Sequence, residues 1–161
     1  MTRGRAGLYI FLLFFLLAGL AVAMNTSANA QEFKAALTGS EVVPPIKSEA
    51  NGEATFRLFK GERRMFYSLN VSNTKGVTAA HIHKGKKGEN GPPVVVLYSG
   101  PKKAGRYSGL LADGMLTDLD LIGPLKGEPL RALIQMIYSG EAYVNVHTEK
   151  NPNGEIRGQI K

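Results

Sequence analysis

Arg64-Met-Phe-Tyr-Ser-Leu-Asn-Val71 sets Met65, Tyr67, Leu69 and Val71 on one parity and Phe66, Ser68 and Asn70 on the other. A strand sends successive side chains to opposite faces, so this octet reads as a β-strand with one apolar face. The preceding run, Gly52 to Phe59, is read in the same way, and Lys60-Gly-Glu-Arg63 between the two is a hairpin-like connection.

Working outward, short segments separated by Gly, Pro and Asn continue in both directions. Phe33–Leu37 reads as a first strand, and Val42-Val-Pro-Pro45 as an edge or loop because proline cannot donate to a ladder. Val77–Lys84, Val94–Tyr98, Gly105–Leu111, Ala142–Thr148 and Glu155–Ile160 bring the expected total to about eight strands. Pro129-Leu-Arg-Ala-Leu-Ile-Gln-Met-Ile-Tyr138 departs from the alternation. Its Leu130, Leu133, Ile134 and Ile137 recur at i, i+3, i+4 and i+7, the stripe of an amphipathic helix, with Pro129 at its start and Gly140 at its stop. The expected fold is all-β, an antiparallel Greek-key-like β sandwich or barrel with one short amphipathic helix capping an open end or edge.

Residues 1–30 read differently. Arg3 and Arg5 precede an apolar block from Ala6 to Met24, and Ala28-Asn-Ala30 closes it. This is the charged, apolar and small-residue order of a signal peptide cleaved before Gln31, with an uncleaved N-terminal anchor as the alternative. Either reading sends residues 31–161 outward as one domain, to a secreted, periplasmic or cell-surface location. With the signal cleaved, no stable membrane span is expected.

The chain carries a formal charge of +7, of which Arg3 and Arg5 contribute two units. The remainder is a modest basic excess, too small for a nucleic-acid partner. The absence of cysteine excludes disulfides and thiolate metal sites, leaving histidine, carboxylate and methionine as ligand types.

There are three histidines, and two stand in Ala79-Ala-His-Ile-His83. On a strand, His81 and His83 share one face while Ile82 goes to the core. Tyr143-Val-Asn-Val-His-Thr148 sends Val144 and Val146 inward and places Tyr143, Asn145 and His147 on the outer face. If the two strands are neighbours, about 4.8 Å apart, the three imidazoles converge on one ion. His-x-His also arises by chance, and outward histidines are often merely solvated; pattern alone leaves both readings open. Three neutral imidazoles suit copper, with zinc as the alternative, and leave a fourth position for water or substrate.

After a five-residue loop from Lys150 to Gly154, the return strand places Arg157 opposite His147 and Gln159 opposite Asn145. Tyr143, Asn145, Glu155 and Arg157 would then surround the ligands, while an exposed charge pattern is the competing reading of Glu155 and Arg157. The loop Lys84-Gly-Lys-Lys-Gly-Glu-Asn-Gly-Pro-Pro93 is no phosphate-binding fingerprint, since a strand and not a helix follows it. It reads as solvated, with anion attraction as a secondary possibility.

Phe33-Lys-Ala-Ala-Leu-Thr-Gly39 with Glu41-Val-Val-Pro-Pro45, Ala79-Ala-His-Ile-His83 with Gly88-Glu-Asn-Gly-Pro92, Gly140–Thr148 and Asn151–Gln159 together resemble the CHRD domain, first named in chordin. The resemblance covers the chain beyond its leader and implies a compact exported β domain, without an assigned biochemical activity. His81, His83, His147 and Arg157 are also weakly similar to the copper half of the Cu,Zn superoxide dismutase motif. The lack of a fourth histidine excludes a bridged Cu,Zn centre.

Three functions follow as expectations. The first is a metal-binding module on His81, His83 and His147. The second is a non-enzymatic adhesion or matrix module that engages an anionic polymer or an extracellular protein. The third is a mononuclear redox enzyme acting on superoxide or peroxide, ranked below both.

Overall fold

A computed structural model describes residues 30–59 and 63–161. Residues 1–29, on which the expected signal peptide falls, and most of the Lys60–Arg63 connection therefore lie outside the described residues. The elements are β1 (Ala30–Thr38), β2 (Asn51–Phe59), β3 (Met65–Lys84), β4 (Pro93–Tyr98), β5 (Lys103–Leu116), α1 (Leu130–Tyr138), β6 (Ala142–Thr148) and β7 (Ile156–Gln159), with three short 3-10 turns.

All strand pairings are antiparallel. β1 pairs β2 with Phe33 opposite Phe56, and β2 pairs the first half of β3 with Phe56 opposite Tyr67. The second half of β3 pairs β6 with Ile82 opposite Val144, and β6 pairs β7. β7 returns to β1 through Thr38 and Arg157, and Lys34 and Lys161 exchange backbone hydrogen bonds of 2.8 and 2.9 Å beside that seam. The circuit closes into a barrel, which removes the open edges an isolated sheet would present. β5 and β4 add to the first and second halves of β3.

Seven strands stand where eight were expected, because Arg64–Val71 and Val77–Lys84 are the two halves of the 20-residue β3. Asn73 and Gly76 adopt positive φ, 59° and 62°, and the register with β5 shifts between Val71 and Thr74 and again between Lys75 and Val77. Such bulges bend a strand without ending it, so β3 serves β2 with one half and β6 with the other.

The predicted apolar parities are the ones buried. Phe33, Leu37, Phe56, Met65, Leu69, Ile82, Val144, Val146, Ile156 and Ile160 lie in one core. Each fully buried aliphatic side chain contributes about 1.5–3 kcal/mol of transfer free energy. α1 adds Leu130, Leu133, Met136 and Ile137 to that core, while Ile134 is only partly buried. Its first turn is satisfied by Asp118, whose Oδ1 accepts from the Leu130 N–H at 2.8 Å. Gly140 ends it at φ 70°, with Gly140 N donating to Ile137 O and Glu141 N to Met136 O, the paired bonds of a Schellman stop. Among the described residues no helix is long and apolar enough to cross a membrane.

Candidate metal centre

β3, β6 and β7 lie side by side, and their second faces form a lattice of side chains. Across the three strands run the rows Ala79, His147; His81, Asn145, Arg157; and His83, Tyr143, Gln159. Alternation had placed all of these residues on one face, and the pairing brings the three histidines together. One imidazole nitrogen from each lies within 4.8 Å of the other two. Three nitrogens bonded to a common ion at about 2.0–2.1 Å stand roughly 3.3–4.2 Å apart, so small side-chain rotations suffice for convergence.

The hydrogen bonds define the imidazole tautomers. His83 Nδ1 lies 2.9 Å from Gly91 O, and His147 Nδ1 lies 2.9 Å from Pro152 O. A carbonyl oxygen only accepts, so both Nδ1 atoms carry protons and both Nε2 atoms keep their lone pairs. Those Nε2 atoms, together with His81 Nδ1, are buried without a hydrogen-bond partner. Buried polar atoms are ordinarily satisfied, so three orphans on neighbouring histidines mark these rings as candidate ligands.

Burial holds all three rings neutral. His81 falls to about 4, mainly through desolvation and secondarily through the neighbouring His147 and His83. His83 is lowered by desolvation, against a raising contribution from Gly91 O and with further lowering from His147 and Arg157. His147 is lowered by desolvation despite its bond to Pro152 O. Neutral imidazole is the form that ligates metal.

Part of the outer face is covered, which corrects the expectation of an open sheet surface, while His81, His147 and Gln159 are only partly buried. Tyr143 is 2 % exposed, Asn145 5 %, His83 9 % and Arg157 2 %. Two loops cover them. The Lys84–Pro93 loop folds back over this face while most of its residues stay exposed, as a solvated loop was expected to be. Arg157 Nη2 donates to Lys86 O and Glu89 O at 3.0 and 2.7 Å, and Nη1 donates to Asn90 Oδ1 at 3.3 Å. Gln159 Nε2 donates to Gly85 O at 2.9 Å, and Gly91 N donates to the Tyr143 hydroxyl at 3.2 Å. The guanidinium carbon of Arg157 lies 3.5 Å from the Tyr143 ring centroid, and Tyr143 stacks on His83 with centroids 5.1 Å apart.

The second cover is the β6–β7 connection. Asn145 lies opposite Arg157 and Tyr143 opposite Gln159, two residues away from the register expected for a five-residue loop. The turn starts earlier because Thr148 N donates to Asn151 O, Asn151 N donates to Thr148 Oγ1, and Glu155 N donates to Val146 O. A two-residue shift preserves side-chain parity, so Arg157 stays on the histidine face. The Glu155 carboxylate accepts from Ser48 Oγ, Thr148 Oγ1 and Asn151 Nδ2. Burial alone would raise its pKa, but these three donors outweigh that and hold it below the usual carboxylate value. Asn145 Nδ2 donates to Asn153 O at 3.0 Å, while its Oδ1 is buried without a partner.

Sequence reasoning identified the histidines and their neighbours on the lattice, and it missed the groups that orient them. These are the carbonyls of Gly91 and Pro152, together with Ser48, Asn90 and Asn151. Main-chain acceptors leave no trace in residue type. Gly91 is the exception, since a Cβ there would meet Lys84 O at 1.8 Å, a close approach that only glycine permits.

The architecture defines a class: an antiparallel β-barrel domain with a partly buried trio of neutral imidazoles on one outer face, two of them hydrogen-bonded to loop carbonyls. Residues 33–160 match the CHRD domain. Chordin from Xenopus laevis is 30% identical over 141 residues, 83% of this chain and 13% of Chordin. This chain therefore belongs to the CHRD domain family, and it spans only a small part of the length of the curated relative it matches. No solved structure matches it.

Proposed function

We propose that this CHRD domain is an exported metal-binding module that takes one transition-metal ion, copper ahead of zinc, on His81, His83 and His147. The observation that carries the reading is that His81 Nδ1, His83 Nε2 and His147 Nε2 are buried without hydrogen-bond partners, on three histidines that can each bring one ring nitrogen within 4.8 Å of the other two. A partly buried sheet face has no packing reason to gather three imidazoles with unsatisfied nitrogens. Tyr143 supports His83 by stacking and is itself packed against Arg157, the carbonyls of Gly91 and Pro152 fix two rings, and Asn145 and Glu155 hold the covering loop.

The covered face favours this reading over the other two. Lys86 and Lys87 are engaged with Glu141 and Glu41, which leaves the basic loop less free for an anionic polymer. Arg157 is bound to loop carbonyls and sealed from solvent, a poor position for steering an incoming superoxide or peroxide. Export rests on the order of residues 1–30 and is checked by the mass of the mature protein, expected to begin at Gln31.

Calorimetric titration of the metal-free protein with Cu(I), Cu(II) and Zn(II) tests the site. One ion per chain is expected, lost in His83→Ala and in His147→Ala. Equal stoichiometry in wild type and both variants would refute the assignment.

A further inference from the structure

The charge around the histidine cluster is unbalanced. The ligand set is three neutral imidazoles, and among the described residues the cluster includes no carboxylate. Beside it stands Arg157, 2 % exposed and still cationic, since burial lowers its pKa from a value far above neutral. Its partners are two carbonyls, one carboxamide and the face of Tyr143. None carries a negative charge.

The nearby acids are committed elsewhere. Glu41 and Glu89 act on Arg157 only through space, while Glu41 pairs with Lys87 at 3.0 Å and Glu89 accepts from Lys86 N at 3.2 Å. Glu155, two residues before Arg157, accepts hydrogen bonds from Ser48, Thr148 and Asn151.

A partly buried site of this kind discriminates between ions by charge. Each positive unit brought into it loses hydration, gains no anionic ligand and is repelled by the guanidinium. A divalent ion meets the repulsion twice over and its desolvation cost rises more steeply still. A monovalent ion meets it once. Neutral imidazole nitrogens suit copper in either oxidation state, so the electrostatic surroundings decide between them. We infer that the three-histidine site holds copper as Cu(I) in preference to Cu(II) or Zn(II), and that Arg157, which makes no ion pair among the described residues, strengthens this preference. The inference rests on the three-histidine reading and adds the oxidation state of the bound ion.

Tyr143 is the physical link. It stacks on the ligand His83 and lies under the guanidinium, so Arg157 is held at a fixed place relative to the ligands. Arg157 is thus a positioning and charge-setting residue that donates no ligand atom.

The test is a pair of competition titrations on the mature protein, Cu(I) against bicinchoninate under anaerobic conditions and Cu(II) against nitrilotriacetate, with Zn(II) in parallel. Wild type should bind Cu(I) about a hundredfold or more tighter than Cu(II). Arg157→Met should narrow that ratio by about tenfold, chiefly through tighter Cu(II) binding. Because Arg157 also anchors the loop, Asn90→Asp provides the independent variant. It leaves Arg157 in place and gives it the missing carboxylate at the position of Asn90 Oδ1, and it should narrow the ratio similarly. Cu(II) or Zn(II) bound as tightly as Cu(I), or a ratio unmoved in a folded Asn90→Asp, would overturn the inference while leaving the metal site standing. Failure of every ion to bind would overturn the three-histidine reading itself, and this inference with it.

Discussion

The guanidinium carbon of Arg157 lies 3.5 Å from the ring centroid of Tyr143. β6 runs between β3 and β7, so Tyr143 meets Arg157 from β7 and His83 from β3. One aromatic ring thereby ties the covering loop, through the carbonyls bound to Arg157, to a candidate ligand. A cation over an aromatic face contributes up to about 2 kcal/mol when desolvated, so the contact matters on the scale of a domain's whole stability.

Two substitutions at Tyr143 separate its roles. Tyr143→Phe keeps both stacking contacts and removes only the hydroxyl that accepts from Gly91 N, for an expected loss of about 1 kcal/mol. Tyr143→Leu removes the ring from a site only 2 % exposed and should cost about 3–4 kcal/mol. It should also weaken metal binding by about 10–100-fold, because His83 loses its stacking partner. Urea melts and metal titration check both, and equal losses in the two variants would show that the ring contributes nothing.

The depressed histidines predict a stability that falls in mild acid. Unfolded histidine takes up its proton near 6.5, whereas folded His81 resists until about 4, so between those values the unfolded state binds more protons. His83 and His147 shift in the same direction. Stability is complete above 6.5 and is lost progressively as pH falls through the folded values. The metal-free protein should melt about 5 °C or more lower at pH 5 than at pH 7.5, and less steeply with pH when His81 is replaced by glutamine. Glu155, whose folded pKa is lowered, adds its own loss only further into acid. A melting temperature independent of pH between 7.5 and 5 would refute neutral burial of the histidines.

Alternation alone carried the faces of His81, His83 and His147, because a strand's period of two is unaffected by what pairs with it. The core parities of Met65, Leu69, Ile82, Val144 and Val146 were legible for the same reason. Three other features were not. The continuity of β3 depends on Asn73 and Gly76 acting as bulges, and a Gly between apolar runs reads equally well as a turn. The Asn145–Arg157 register depends on hydrogen bonds between Thr148 and Asn151 that lengthen the turn. The burial of Tyr143 and Arg157 depends on loops returning over the sheet, which local periodicity does not encode.

Glu155 is expected to act on metal binding from a distance. Its carboxylate gathers Ser48, Thr148 and Asn151, and the loop so organised presents Pro152 O to His147 Nδ1. Glu155→Ala strands three donors and should cost about 2–3 kcal/mol. Metal affinity should fall by about tenfold as the His147 ring loses its fixed tautomer. Glu155→Gln retains an acceptor and should lose less on both counts. NMR of the imidazole nitrogens separates tautomer loss from general destabilisation: a folded Glu155→Ala with His147 still protonated on Nδ1 would exclude the positioning role.

The closing seam of the barrel should be its most demanding backbone contact. Between β1 and β7 the ladder is short, and Gly158 packs so closely that an added Cβ would lie 2.2 Å from Ala36 O and 2.7 Å from Ala36 C. Both are main-chain atoms within a paired strand, which cannot rotate away as a flexible side chain would. Gly158→Ala must therefore push β7 from β1 and weaken the bonds between Lys34 and Lys161 beside it. A loss of about 3 kcal/mol or more is expected, well beyond the cost of an ordinary surface substitution. Hydrogen exchange should report faster exchange at the Lys34 and Lys161 amides, while the amides of the β2–β3 ladder keep their order of protection. The same displacement moves Arg157, one residue away, so metal affinity should fall with seam protection. A Gly158→Ala protein with wild-type exchange at Lys34 would show that the seam does not close the barrel as described.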